Sequence, residues 1–481
     1  MKKKYDNMSV VAKSSIWFII CGFIQRGITT ITTPIFTRLL TTEQYGIYSA
    51  FNSWLEIITI FATLRLGYGV FVQGLVKFSE DKEKFSSSLL GLATLWWGVS
   101  FIIYIVFHSF WNGIFGISTL LMICMFIMMI LTVAFNFWSA QQRNEFKYKT
   151  LVKMTLLISV LNPVSGIIAV LCNETYKVEA RIIAITIVEL VIYLGLYIKI
   201  IMKGKKLFDK RYWKYALSFN LPLVPHFLSQ VILNHSDRIM IQQLVGYDAT
   251  GVYSLAYSIA MILTMLNTSI MNSMRPWTFH RIKAGEEHKI ESVGLGALII
   301  VGIFNIILIS FSPEIISIFA PSSYNSAISL IPPITMGVFF AFMYNLFVDI
   351  QMYFEKTKVT MIVAIICATI NIVLNYILIP KFGYAAAAYT TLFSYMLMAT
   401  LHYCAMKHVL RKKENSIKIY NLKKIMLITI AFVISAIIMG MLAKHFIIRF
   451  IISIMIVVIL VVKRKSIKEI TSVLLKKSKN T

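Results

Sequence analysis

Apolar runs of about 20 residues dominate this chain, and an α-helix needs that length to cross the hydrocarbon core of a bilayer. Fourteen such segments are expected, at 14–34, 45–66, 86–108, 115–139, 150–171, 180–201, 213–235, 249–273, 290–311, 327–349, 358–379, 384–405, 424–443 and 446–462. Of 481 residues, 58% are hydrophobic and only 14% charged, whereas soluble domains carry about 45–50% apolar and about 25% charged residues. The excess needs a bilayer as its solvent, so the expected fold class is an all-α polytopic membrane protein. The opening stretch "MKKKYDNMSVVAKSSIWFII" is read as an uncleaved first helix, because no small-residue cleavage site follows promptly.

The basic residues support this reading. A net charge of +26 would suggest nucleic acid in a soluble protein. Here the charges fall between apolar runs, and Lys and Arg favour cytoplasmic loops. With the N-terminus inside, 37 of the 47 Lys and Arg residues fall in cytoplasmic segments. Seven fall outside: Arg38, Lys177, Arg181, Arg238, Lys381, Lys444 and Arg449. Arg26, Arg65 and Lys153 lie within spans. Both termini are therefore expected in the cytoplasm. The loops are short and hold no GxxxxGK[ST] phosphate loop, so neither an ATPase nor a soluble catalytic domain is expected. Cys21, Cys124, Cys172, Cys367 and Cys404 sit in or beside apolar segments without metal or redox spacing. No metal and no cofactor are expected.

The chain also repeats itself. "RLLTTEQYGIYS" (38–49) and "QLVGYDATGVYS" (243–254) align at an offset of 205, which matches Leu39 with Leu244, Gly46 with Gly251, Tyr48 with Tyr253 and Ser49 with Ser254. Lys149 and Asn162 match Lys358 and Asn371 at an offset of 209. The copies stand six spans apart, an even number, so both enter the membrane in the same sense. That describes a parallel repeat about an axis along the membrane normal. The expected architecture is two six-helix lobes, 1–205 and 206–410, around a central cavity. Residues 411–481 add two further helices and a basic cytoplasmic tail.

Five stretches carry a resemblance: "PIFTRLLTTEQYGIYSAFNSW", "LRLGYGVFVQGLVKF", "FWSAQQRNEFKYKTL", "HSDRIMIQQLVGYDATGVYSLAY" and "PKFGYAAAAYTTLFSY". Over about residues 10–410 the chain resembles bacterial polysaccharide-unit flippases. These are the O-antigen and capsule translocases of the multidrug/oligosaccharidyl-lipid/polysaccharide exporter superfamily. The resemblance implies transport, with no enzymatic activity, of an undecaprenyl-diphosphate-linked oligosaccharide from the cytoplasmic to the outer leaflet for surface polysaccharide biosynthesis. It implies a bacterial cytoplasmic (inner) membrane location and a lipid bilayer and lipid-linked glycan as partners, with polysaccharide polymerase machinery nearby. It also suggests that the polyprenyl tail lies along a groove beside spans 13 and 14.

Ionisable residues inside a bilayer are costly and usually face a cavity or a partner. The candidate substrate-binding cations are Arg26, Arg65, Arg275 and Lys153. Arg26 either holds the diphosphate or pairs with Glu56. Arg65 either guards the inward mouth or snorkels. Arg65 and Arg275, at matching ends of repeat-related spans, are placed to grip a diphosphate from both lobes, since guanidinium reads phosphate oxygens well. For Lys153 snorkelling is the plainer reading. Glu56 and Glu189 are candidates for ion coupling or an ion pair, and for Glu189 the expected partner is a Ser, Thr or Tyr of a neighbouring helix. Asp237 and Arg238 are a gating or structural pair. Pro222 and Pro225 mark a hinge or a static kink, and His226 beside them reads as a packed core residue. The span asparagines, Asn162 and Asn371 among them, read by default as interhelical glue. The alternative function is a multidrug or cation antiporter on the same fold, which needs the acidic residues Glu56 and Glu189 in the cavity. A glycan polymerase would bring a large external loop, which this chain lacks.

Overall fold

The computed structural model describes residues 9–411 and 419–462, apart from the side chains at 11, 12, 15, 226 and 456–462. His226 and the end of the basic tail thus lie outside the described residues. Two compact units emerge, 1–243 and 244–481.

In the first unit, α1 (Val10–Leu39) is followed by α2 (Thr42–Thr63), the short α3 (Val70–Lys77), α4 (Lys82–Val106), α5 (His108–Phe115), α6 (Thr119–Asn144), α7 (Tyr148–Leu171) and α8 (Lys177–Gly204). Then come α9 (Lys210–Asn220) and α10 (Val224–Leu244). The second unit runs through α11 (Tyr247–Ala260), α12 (Ile262–Lys283), α13 (His288–Ser310), α14 (Ser312–Phe319), α15 (Ile331–Tyr353), α16 (Thr357–Phe382) and α17 (Ala385–Arg411). It ends with α18 (Leu422–Met441) and α19 (Phe446–Val462). The order long, short, long recurs between the units. In both, the last helix of the set packs on the two before it: α8 on α6 and α7, α17 on α15 and α16.

Each of the fourteen expected segments is helical over most of its length, though 249–273 is divided between α11 and α12 and 213–235 between α9 and α10. Among the described residues, ten helices are long and apolar enough to cross a membrane, and the bent pair α9–α10 makes an eleventh if counted as one span. The chain is a multi-pass membrane protein. α2 and α17 fall outside that set because their interiors are too polar, and α19 because its described apolar stretch is short. Pro222 lies in a 3-10 turn, Leu221–Leu223, and Pro225 is the second residue of α10. The helix axis turns by 50° across them. Proline removes a backbone donor and crowds the preceding turn, which accounts for a break at this point.

The repeated motif is a helix start. Thr41 Oγ1 accepts from the Gln44 N–H, and the Thr41 N–H donates to Gln44 Oε1, both at 3.1 Å. This reciprocal pair satisfies two of the donors a helix N-terminus leaves open. The matching Gly46, Ser49, Gly251 and Ser254 are all buried, because small residues let helices approach where lipid offers no hydrophobic drive to association. The same logic seats α8 on α4: a Cβ at Gly204 would strike the Glu83 carbonyl and Ser87. Two apolar clusters fill the first unit. One gathers Phe71, Phe85, Phe137 and Tyr212, and the other Phe51, Met122, Phe126 and Ile182. Phe71 stacks on Phe137 with ring centroids 4.0 Å apart.

Candidate functional site: a charged cavity in the first unit

A cavity of about 480 Å³ opens among α1, α2, α6, α7 and α8. Its wall is assembled from polar faces at helical spacing: Gln25, Thr29 and Thr32 on α1, Tyr48, Asn52, Glu56 and Thr59 on α2, Thr132 and Asn136 on α6. Residues three and four apart share a helix face, so each helix turns one polar stripe inward and leaves its apolar remainder to lipid and neighbours. α8 contributes Arg181 and Glu189, two turns apart, with Ile185 between them.

Arg181 was expected in an external loop. It lies instead in the second turn of α8 and is 7% exposed. Its guanidinium carbon stands 3.4 Å from the Phe36 ring centroid and 3.5 Å from that of Tyr48. Nε and Nη1 are buried and have no hydrogen-bond partner. A cation between two ring faces is stabilised by their quadrupoles, yet five-donor guanidinium with idle donors is poised for an acceptor that enters the cavity. Position alone disfavours it, because the N-terminal end of a helix carries partial positive charge. A signal for Arg181 was present in the sequence: an arginine two turns before a glutamate on one face of an otherwise apolar segment.

Glu189 accepts from Asn162 Nδ2 of α7 at 3.1 Å, so its partner is an amide and not the expected hydroxyl. Its other oxygen and Asn162 Oδ1 are buried without partners. Glu56 lines the same wall, and among the described residues neither it nor Arg26 has an ion-pair partner. Arg26 is exposed and is not among the residues that line the cavity, whereas Gln25 is. Lys153 is exposed and outside the wall.

Arg65 lines the cavity from the break between α2 and α3. Leu64 and Arg65 adopt left-handed backbone, φ 51° and 48°, a region that costs a non-glycine residue energy and persists only where surroundings impose it. Here Asn220 Nδ2 holds the Leu64 carbonyl and Thr63 Oγ1 accepts from the Arg65 N–H at 3.3 Å. The guanidinium lies over the Tyr68 and Phe227 rings at 4.7 and 5.5 Å. Arg181 touches Tyr48 near the start of α2 while Arg65 follows its end, so at 1.5 Å per residue the two cations stand roughly 25 Å apart. Glu56 and Glu189 each lie about 12 Å along their helices from the Arg181 end on the same rise. The cavity is thus a bilayer-scale cleft, with a guanidinium toward each end and two carboxylates between.

The second unit builds the same helices with a different charge plan. The fifth residue of α17 is Tyr389 where α8 has Arg181, and the thirteenth is Leu397 where α8 has Glu189. Arg275 Nε binds Asp349 Oδ1 at 2.6 Å, with the aspartate side chain 3% exposed. Asp237 is buried, and Arg238 donates to the Asn234 carbonyl at 3.4 Å. The asparagines overlap in role. Asn267, Asn371 and Asn162 bond across helices, to the Val338 carbonyl, Thr391 and Glu189, while Asn52, Asn136 and Asn162 line the cavity.

Helices long and apolar enough to cross a bilayer, one set of them enclosing a polar cavity, define a class, that of multi-pass membrane proteins. The lipid II flippase MurJ in an inward closed conformation matches with a TM-score of 0.67 and 18% identity, covering 94% of this chain and 100% of that one. An inward-facing multidrug resistance MATE family transporter matches at 0.60 and 14%, covering 80% and 94%. A superfamily transporter from Pyrococcus furiosus, described as having a binding pocket of reversed polarity, matches at 0.53 and 14%, covering 83% and 95%. At these identities the likeness shows the fold. In sequence, the chain belongs to the polysaccharide biosynthesis protein family, whose profile matches residues 11–282. The MatE profile matches residues 222–377. An uncharacterised membrane protein of Methanocaldococcus jannaschii is 25% identical over 235 residues, 47% of this chain and 46% of that one. The chain thus spans less than half the length of that relative.

Proposed function

We propose that the protein is a flippase that carries undecaprenyl-diphosphate-linked oligosaccharide units from the cytoplasmic to the outer leaflet of the bacterial cytoplasmic membrane, for a surface polysaccharide such as O-antigen or capsule. The observation that carries this reading is Arg181, a buried guanidinium with idle donors on the wall of a polar cavity. Guanidinium matches phosphate oxygens in a planar, two-bond geometry. In this reading the diphosphate meets Arg65 at the cytoplasmic end of the cleft and Arg181 at the outer end. Sugar hydroxyls are held between them by Glu56, Glu189, Asn52, Asn136 and Asn162. Both termini are cytoplasmic, residues 1–205 and 206–410 act as the two lobes of an alternating-access cycle, and the polyprenyl tail stays in lipid. Moving net negative charge outward is favoured by about 2.3 kcal/mol per charge per 100 mV when the inside is negative. Released units feed a polysaccharide polymerase.

The test is a deletion in the native host, followed by mass analysis of extracted undecaprenyl-linked glycans. A complete repeat unit trapped on its carrier, with loss of the surface polymer, is the expected result, and reintroducing the Arg181→Ala variant should not clear it. A second reading, a multidrug or cation antiporter, is favoured by Glu56 and Glu189 on the same wall. It predicts an unchanged glycan pool, and drug susceptibility that follows Glu189→Gln.

A further inference from the structure

The first turns of α4 and α13 each carry one glutamate, Glu83 and Glu291. The twenty-third and twenty-seventh residues of α8 and α17 are basic in both units: Lys199 and Lys203, then Lys407 and Arg411. In the first unit the glutamate pairs with the last of these cations, since Lys203 Nζ binds Glu83 Oε1 at 3.2 Å. In the second unit it does not. Glu291 is occupied by α18, accepting from the Asn421 N–H and from Lys424 Nζ, both at 2.9 Å. Lys407 and Arg411 are exposed, and among the described residues neither has an ion-pair partner. They stand four apart on one helix face, where like charges repel. Both line a cavity of about 600 Å³, walled by Tyr403, Tyr420 and Glu291, whose carboxylate Lys424 binds. Phe347 meets these two rings edge-on at 5.4 and 5.7 Å, which fixes the wall. The cavity lies where α13 and α18 begin and α17 ends, level with the ends of membrane-crossing helices.

We propose that this cavity binds the phosphate headgroup of an anionic phospholipid, gripped by Lys407 and Arg411, with its acyl chains in the adjoining bilayer. A basic pocket between helix ends at the membrane surface has the chemistry for such a headgroup. The extra helix α18 shapes the site: it takes Glu291, the counterpart of the glutamate that Lys203 binds in the first unit. A soluble phosphate shares the headgroup chemistry but brings no acyl chains.

The test uses the full-length protein, purified in detergent and titrated with phosphatidylglycerol, with bound lipid counted by native mass spectrometry. Lys407→Gln/Arg411→Gln should weaken retention at least fivefold, while Lys199→Gln/Lys203→Gln should change it less than twofold. Equal losses in both double variants, or no loss in the first, would overturn the proposal. Full displacement by millimolar inorganic phosphate would reassign the site to a soluble anion. If the first variant does not fold, Lys424→Gln supplies a second arm, because it frees Glu291 to neutralise Arg411. It should weaken retention severalfold where Lys423→Gln does not, and equal behaviour of those two would equally refute the site.

Discussion

Replacing Arg181 with leucine separates a binding residue from a structural one. An arginine at the centre of a spanning helix costs about 2.5–3.5 kcal/mol on insertion scales, which is an upper limit for Arg181 in the second turn of α8, and a cation near a helix N-terminus adds about 0.3–1 kcal/mol. Two desolvated ring contacts, with Phe36 at 3.4 Å and Tyr48 at 3.5 Å, return up to about 2 kcal/mol each. The sums nearly cancel, so Arg181→Leu should leave stability within about 1–2 kcal/mol of the wild type. The effect on substrate is larger. A charge-assisted hydrogen bond is worth about 1.5–3 kcal/mol, and each 1.4 kcal/mol is tenfold in affinity. Transport should therefore fall by about 10- to 100-fold at limiting substrate. Arg181→Lys, which keeps the charge but not the planar fork, should fall between. Two assays decide it: thermal unfolding of the purified protein, and flipping of a labelled undecaprenyl-diphosphate sugar in vesicles. Flipping within twofold of wild type would refute the assignment. A variant that unfolds early would show that Arg181 serves packing.

Three further outcomes are expected. Arg275→Ala leaves Asp349 buried and unpaired; because Arg275 itself is half-exposed, the loss should be about 1–3 kcal/mol, less than the 3–5 of a fully buried pair, and Arg275→Ala/Asp349→Ala should recover part of it in thermal unfolding. Glu189→Gln preserves an acceptor for Asn162 and should retain the fold; if Glu189 couples transport to an ion, vesicle flipping will lose its response to a proton or sodium gradient, and an unchanged response removes it from that role. At the end of α6, Lys147 and then Lys82 hold the Glu145 carboxyl below its ordinary value of 4.5. A depressed carboxyl stabilises the fold above that value and loses the contribution as pH falls through its lowered one, so stability should drop on acidification below about 4.5 in the wild type, and less in Glu145→Gln.

Much of the fold follows from local chemistry. The apolar segments became helices because a helix satisfies every backbone group within itself, and in lipid no other open structure does. The repeat at Gly46 and Gly251 marked equivalent helix starts because small residues there let neighbouring helices meet. The cavity was partly legible: Arg65, Glu56 and Glu189 stood out as charges in apolar surroundings, and all three line it. Arg181 did not, because counting charges by loop assigns a residue near a helix start to the water outside. Only the packing of α8 against α1 and α2 turns it inward, between Phe36 and Tyr48. The same holds for Arg449, counted as external yet buried against the Ser310 carbonyl and Glu314. Arg275 and Asp349, 74 positions apart, meet because α12 packs on α15. Hydropathy along a chain reports how far each segment prefers lipid to water. Which face of a helix turns inward, and which charges then find one another, depends on contacts between segments distant in sequence, and those exist only once the helices have packed.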